Sequence, residues 1–282
     1  TALMRLEQRL PLRKVHEALE RFYNLKISPT SIMDMTNRVS DALNPEYQQI
    51  LAGIKKSKKV YADETGLMVD GKKYWIWTFT TDNDVLFVIR NSRGKGVVKE
   101  ILGEDYQGVV VRDGYTAYNS FGIATQRCWA HLKRDAESIS DHCKESKEFY
   151  GSLMNLFHNT KDKLETNSNK ELLKRRSEER LMNLISKHYK CDEIRKLASK
   201  IHNGFGDWFT FVIHDVEPTN NIAERSLREL VVIRKIIGGL RSVKSTKTYE
   251  TIMSCLATWK HNGLDVMSCF LNCRLGLDLS AF

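Results

Sequence analysis

Three acidic residues that lie far apart in the sequence could do chemistry together. Asp63 follows the strand-like run Val60–Ala62, and Asp113 follows a second strand-like run, Val109–Arg112. Glu224 stands near the start of a segment with helical character. Two aspartates at the same edge of a sheet repel each other unless a cation or a shared proton neutralises them. The three residues therefore suggest a metal site or an acid–base site.

Carboxylates in this arrangement could hold two divalent cations. Two metal ions about 3.5–4 Å apart stabilise the attacking and the leaving oxygen of an in-line phosphoryl displacement. Oxygen ligands suit Mg²⁺, with Mn²⁺ as a substitute, and do not suit Zn²⁺. Glu64 is not expected to replace Asp63, because neighbouring residues of a strand point to opposite faces. We expect the side chain of Glu64 to lie behind the metal ligands or in solvent.

Each acidic residue also has an ordinary structural explanation. An aspartate before a glycine, as in Asp113–Gly114, often forms a turn or caps a helix. Asn221 and Glu224 have nearly the spacing of a capping box, in which the glutamate binds a backbone N–H at the start of the helix. The chemical interpretation therefore requires that all three carboxylates converge in the fold.

The elements that must position these residues predict an α/β fold. Runs rich in β-branched and aromatic residues, separated by "DG" and "DND" turns, predict a three-stranded antiparallel meander and then a fourth strand. The predicted strands are Val60–Ala62, Lys73–Thr80, Val85–Arg90 and Val109–Arg112. The segment GKGVVKEIL is long enough for a crossover helix, which makes the fourth strand parallel to the first. Residues 204–215 are predicted to form a fifth strand or a loop.

The chain is predicted to contain an N-terminal helical segment and one larger domain. In residues 1–54, Ser28 is the expected N-cap and Pro29 the first residue of the second of two helices. The two helices resemble a helix-turn-helix unit, and a plain helical hairpin explains the pattern as well. Residues 55–282 form the predicted catalytic domain, with a polar helical insertion at about 136–205.

The charge balance favours an anionic partner. Lys and Arg number 44 against 35 Asp and Glu, a formal net charge of +9, and nucleic acid is favoured over membrane because no basic amphipathic anchor is evident. The bases predicted to neutralise DNA phosphates are Arg225, Arg228, Arg234, Lys235, Arg241 and Lys244. No run approaches the roughly 18 apolar residues of a membrane span. A soluble, cytoplasmic protein is therefore expected.

The cysteines do not indicate a metal or disulfide framework. All six lack paired CxxC spacing and are expected to be reduced thiols. Cys128 and His131 have C-x-x-H spacing, but a second pair of ligands is not found at a familiar distance. Zinc is therefore disfavoured at this motif.

Four motifs in a fixed order resemble the DDE transposases of the insertion sequence sixty-six type. They are YADETG, VRDGYTAY, CWAHLKRD and NNIAERSLRELVVIRK, and the similarity extends from roughly residue 55 to the end. The resemblance implies a ribonuclease-H-like fold with a five-stranded mixed sheet flanked by helices. It also implies that Asp63, Asp113 and Glu224 are the catalytic carboxylates and metal ligands. His131 would lie near them, with a purely structural place at a helix start as the alternative.

The expected activity is DNA transposition dependent on Mg²⁺. Phosphodiester hydrolysis at the transposon end would be followed by transfer of the freed 3′-hydroxyl into target DNA. The expected partners are DNA and further copies of the chain, in a homodimer or larger synaptic complex that associates with the nucleoid when it acts. The alternatives are a ribonuclease-H-like nuclease without strand transfer and a DNA-binding protein without enzymatic activity.

Overall fold

The structure, a computed structural model, describes residues 1–273 and contains a mixed β-sheet flanked by helices. The strands are β1 (Lys59–Val69), β2 (Lys72–Thr80), β3 (Val85–Arg90), β4 (Val109–Arg112) and β5 (Ala124–Arg127). They form one five-stranded sheet in the order β3-β2-β1-β4-β5. The predicted α/β fold class is confirmed, and this architecture is consistent with a ribonuclease-H-like fold.

Helices make up most of the remaining chain. Those before β5 are α1 (Ala2–Leu6), α2 (Leu12–Tyr23), α3 (Pro29–Lys56) and α4 (Lys95–Leu102). Those after it are α5 (Trp129–Ile139), α6 (Lys144–Thr166), α7 (Lys170–Ile185), α8 (Asp192–His202), α9 (Thr210–Ile213), α10 (Asn221–Ile237), α11 (Val243–His261) and α12 (Val266–Asn272). The crossover helix predicted between the third and fourth strands is confirmed as α4.

The chain divides into two compact units. The first contains Thr1–Glu104 and the described residues from Ile222 onward, and the second contains Asp105–Asn221. The division at residues 54 and 55 that the sequence suggested stays a prediction, and residues 274–282 of the predicted catalytic domain lie outside the described residues.

The N-terminal helices begin and end where local chemistry predicts. Ser28 caps α3, its Oγ accepting a hydrogen bond from the backbone N–H of Ser31 at 3.1 Å, and Pro29 is the first helical residue. Helix α2 ends at Tyr23, and the C-cap residue Asn24 has a left-handed backbone with φ of 52°. Both features of α3 that the sequence predicted are confirmed.

Strand β1 is much longer than predicted. It runs through the DETG residues and pairs with β2 as far as Val69 opposite Lys72. Asp70 and Gly71 connect the two strands with φ values of 49° and 70°, the positive values that a tight type I′ hairpin turn requires. The expectation that β1 ends before Asp63 was wrong, because β2 supplies a hydrogen-bonding partner for each residue that follows.

Helix α11 closes the outer edge of β3 with side-chain hydrogen bonds. Three of its polar residues, each one turn from the next, accept alternate backbone N–H groups of the strand. The bonds join Val85 N to Thr258 Oγ1 (2.9 Å), Phe87 N to Ser254 Oγ (2.9 Å) and Ile89 N to Glu250 Oε1 (2.8 Å). These N–H groups belong to an edge strand and would otherwise be buried without a partner.

The second unit contains the parallel pair β4 and β5 and a helical core. Strand β5 lies at Ala124–Arg127, a segment too polar to predict as a strand, and its buried Gln126 binds Trp208 O and Phe211 N. Residues 204–215, for which a strand or a loop was predicted, instead form a short 3₁₀ turn and α9. Their apolar side chains pack in the core of helices α5 to α8.

Candidate active site

Asp63 lies inside the antiparallel part of the sheet. It is the fifth residue of β1, is half-buried, and stands opposite Thr78 of β2. Its Oδ1 accepts a hydrogen bond from the backbone N–H of Glu64 at 2.8 Å. The strand on both sides of Asp63 is paired with β2, so the backbone that carries this carboxylate is held in place.

Glu64 is buried and paired with a base that the sequence did not predict. Its side chain is 1 % exposed, and its Oε1 accepts hydrogen bonds from Nε (3.0 Å) and Nη2 (2.7 Å) of Arg93. The guanidinium group of Arg93 also lies over the ring of Trp75, 4.5 Å from its centre. The solvent-exposed alternative for Glu64 was therefore wrong. Arg93 follows β3 in a polar loop, where its sequence context gives no sign of this role.

Glu224 lies in the first turn of α10, and the opposite end of this helix is attached to β1. Arg234 of α10 donates from Nη1 to Thr65 Oγ1 at 3.0 Å and to Gly66 O. Beyond the helix, Leu240 N binds Met68 O at 2.9 Å. The chain from Arg234 to Leu240 thus follows β1 from Thr65 to Val69, in the direction of the strand.

The direction of α10 decides the level of Glu224 along the strand. Glu224 precedes Arg234 by ten residues, which is about 15 Å at a helical rise of 1.5 Å per residue. That length equals roughly four to five residues of β1 at about 3.3 Å each. Counted back from Thr65 along a helix parallel to the strand, this length corresponds to the level of Val60 and Tyr61, in the half of β1 that contains Asp63. The convergence of Asp63 and Glu224 stays a prediction.

The predicted DNA-binding bases differ in their environments. Arg234 is half-buried and bonded to β1, so its guanidinium group is engaged within the fold. The other five are exposed: Arg225, Arg228, Lys235, Arg241 and Lys244. Their role in binding DNA stays a prediction.

Asp113 and His131 lie at one edge of the second unit's strand pair. Asp113 directly follows β4, and its Oδ1 accepts a hydrogen bond from the backbone N–H of Tyr115 at 2.8 Å. His131 is the third residue of α5, which begins directly after Cys128, where β5 has ended. Because β4 and β5 are parallel, with Arg112 opposite Arg127, their C-terminal ends meet at the same edge.

Arg112 holds the loop that carries Asp113. This arginine is 2 % exposed and donates to Asp113 O (3.2 Å), Asn119 Oδ1 (2.9 Å) and Asp207 Oδ2 (3.1 Å). Burial, and after it the neighbouring Arg127, lowers the pKa of the Arg112 guanidinium, while Asp207 opposes this change. The sequence showed Arg112 only as the last residue of a strand, and its burial depends on partners far along the chain.

The start of α5 also holds the segment that leads into α10. Pro218 O accepts a hydrogen bond from Trp129 N at 2.9 Å, and Cys128 Sγ accepts one from Asn220 N at 3.2 Å. Asn220 is fully buried. The asparagine pair that precedes Glu224 in the sequence is thus fixed at the beginning of the helix that carries His131.

The oxygen donors of the carboxylates fit Mg²⁺ or Mn²⁺. Asp63 and Asp113 each use Oδ1 to accept a backbone N–H, which orients the carboxylate group. Carboxylate oxygens are the ligands that these hard cations prefer. The donor set of Asp63, Asp113 and Glu224 is therefore chemically suitable for the metal that the sequence predicted.

Comparison with known families places this chain in a class of transposase sequences. In particular, the chain belongs to the Transposase IS66 family, whose model matches residues 2–248. The resemblance inferred from the four motifs is thereby confirmed.

Two curated relatives come from Sinorhizobium fredii. The uncharacterized protein y4qI is 25% identical over 257 residues, covering 77% of this chain and 47% of the relative. The uncharacterized protein y4jD is 24% identical over 269 residues, covering 81% of this chain and 52% of the relative. The chain thus spans about half the length of the curated relatives it matches.

A membrane-spanning helix needs a minimum length and a minimum hydropathy. Across residues 1–273, every helix is too short or too polar to cross a lipid bilayer.

Proposed function

We propose that this chain is the catalytic part of a DNA transposase that cuts and joins phosphodiesters with two divalent cations. Asp63, Asp113 and Glu224 would hold the metal ions together. The observation that carries this proposal is the attachment of the end of α10 to β1 through Arg234, which supports a position of Glu224 near the half of β1 that contains Asp63. The crossover helix α4 before β4 supports the placement of Asp113 with them.

The surrounding residues would orient the carboxylates and the DNA. Bound Mg²⁺ would activate the attacking oxygen and neutralise charge on the phosphate. Arg112 holds the backbone carbonyl of Asp113, and the ion pair of Glu64 with Arg93 anchors the strand beside Asp63. His131, at the same edge as Asp113, would contact the scissile phosphate or orient a metal ligand.

Replacing one carboxylate by its amide tests the metal site directly. Asp113→Asn keeps the size of the side chain and removes its charge, so we expect loss of Mg²⁺-dependent nicking of transposon-end DNA with DNA binding retained. Asp141→Asn, at an exposed aspartate of the same unit, is the matched control and should nick DNA normally. Nicking by Asp113→Asn at the normal rate would refute the carboxylate assignment.

Strand transfer needs its own experiment. Pre-cut transposon ends are supplied with a target plasmid and Mg²⁺, and joined products are measured by gel electrophoresis. Products covalently joined to the plasmid support transposition. Cleavage of uncut ends without any joining would favour the ribonuclease-H-like nuclease, and DNA binding without either reaction would favour a DNA-binding protein.

A further inference from the structure

Some bases of helix α7 are neutralised by acidic residues on the same helix. Lys174 Nζ lies 3.5 Å from Glu178 Oε1, and Arg175 Nε lies 3.6 Å from Glu179 Oε1. Both pairs have the i,i+4 spacing that brings side chains together on a helix. The positive charges of Lys174 and Arg175 are thus neutralised by acidic side chains one turn further along the helix.

A second set of bases faces a polar groove between α6 and α7. Lys163, Arg176 and Arg180 line a cavity of about 320 Å³ whose other lining includes amide and hydroxyl side chains, such as that of Asn159. Across residues 1–273, carboxylate oxygens are absent within 4.0 Å of these three cationic groups. Among residues 1–273, no acidic residue lines this cavity. On α7, the fold therefore separates Lys174 and Arg175, which are neutralised, from Arg176 and Arg180, which lack acidic partners among the described residues.

The groove continues along α7 beyond this cavity. Asn159 and Arg180 also line a neighbouring cavity of about 310 Å³, which extends to Lys187. In the described part of the chain, acidic residues are absent from this lining as well. From Arg176 to Ile185, the last residue of α7, the helix advances about 14 Å at a rise of 1.5 Å per residue, and Lys187 lies just beyond its end. That helical length corresponds to about four nucleotides of one DNA strand at 3.4 Å each. A row of bases suits an extended polyanion better than a single small anion.

The floor and lining of the groove indicate which part of DNA it would contact. Thr160 Oγ1 and Ser177 Oγ form a buried hydrogen bond of 2.9 Å, which closes the floor between the two helices. The described residues contribute no aromatic side chain to the lining of either cavity, so the groove does not provide a surface on which nucleotide bases could stack. Amide, hydroxyl and guanidinium groups are the usual donors to phosphate oxygens.

We infer that the groove lined by Lys163, Arg176, Arg180 and Lys187 binds the phosphodiester backbone of DNA, without reading its sequence. The choice of DNA as the polyanion rests on the proposed function. The helical insertion would in this way hold DNA through contacts separate from the three candidate catalytic carboxylates. Because the contacts are ionic, they weaken with salt in proportion to the number of phosphates neutralised.

A pair of double variants on the same helix tests this inference. Arg176→Ala with Arg180→Ala removes two groove bases, and Lys174→Ala with Arg175→Ala removes two neutralised bases, so both lose the same positive charge. Binding of a labelled DNA duplex is measured in EDTA over a series of NaCl concentrations. For the groove variant we expect about tenfold weaker binding and a slope of log K against log salt that is smaller by about 1.8, or about 0.9 for each phosphate that is no longer neutralised. The control should keep the original slope.

The possible outcomes separate this inference from the proposed chemistry. Equal weakening of DNA binding in both double variants would show a general charge effect and overturn the inference. An unchanged slope of log K against log salt would also overturn it, if the groove variant has a native circular dichroism spectrum. Competition by inorganic phosphate as effective per phosphate as DNA would show a small-anion site and also overturn it. Since EDTA prevents metal catalysis, selective weakening in the groove variant supports the groove even if Asp113→Asn refutes the metal site.

Discussion

Replacing Thr258 by valine tests how α11 closes the outer edge of the sheet. Thr258 Oγ1 accepts a hydrogen bond from Val85 N at 2.9 Å and donates one to Val85 O at 3.2 Å. The residue is 6% exposed, so water does not readily replace these bonds. Valine keeps the branched shape and removes only the hydroxyl, so the change isolates hydrogen bonding from packing.

The expected cost follows from the backbone N–H that loses its acceptor. A buried donor left without a partner costs about 1–3 kcal/mol, whereas the carbonyl retains a second lone pair for other donors. Thr251 on the same helix provides the matched control. It is fully buried, and its Oγ1 has no hydrogen-bond partner in the part of the chain that the structure describes. Thr251→Val should therefore be neutral or slightly stabilising.

Equilibrium urea unfolding followed by circular dichroism measures both changes. We expect the free energy of unfolding to fall by about 1–3 kcal/mol for Thr258→Val and not to fall for Thr251→Val. Equal losses in the two variants would show that helix packing, and not the bond to β3, determines the cost. A change below about 0.5 kcal/mol for Thr258→Val would refute the reasoning, since surface substitutions have effects of that size.

Two further predictions concern the first unit. Burial raises the pKa of the Glu250 carboxyl group from its ordinary value of 4.5, and Arg90 opposes this change. The folded state therefore binds the carboxyl proton more tightly than the unfolded state does. The wild type should therefore lose stability relative to Glu250→Gln as pH rises from about 4.5 through the folded pKa, and a constant difference in Tm would contradict this. Gly238→Ala should lower the free energy of unfolding by about 1–2 kcal/mol, because its backbone is left-handed. Gly239→Ala should lower it further, because the added methyl group would lie 2.6 Å from Met68 O. Equal urea unfolding midpoints for the two variants would contradict this.

Local signals in the sequence were sufficient for several parts of the fold. Ser28 and Pro29 mark the start of α3, and "DG" marks the turn between β1 and β2. Each of these features depends on the conformational preferences of a few adjacent residues, which is why it could be predicted.

Other features depended on residues far along the chain. Strand β5 and the full length of β1 could not be predicted without knowing the strands that pair with them. In β5, for example, the polar residue Gln126 is accommodated because the fold supplies hydrogen-bond partners for its side chain. Arg112 and Arg93 acquired their roles in the same way, from acidic partners 95 and 29 residues away in the sequence.

The sequence by itself determined the α/β class, the start of α3 at Ser28 and Pro29, and the transposase family, because motif order and short-range preferences depend on neighbouring residues. Only the tertiary structure decided that Arg234 of α10 is bonded to β1, that Asp113 and His131 share an edge of the β4–β5 pair, and which bases of α7 lack acidic partners among the described residues. These properties arise from long-range packing, which places side chains by contacts that a one-dimensional pattern does not contain.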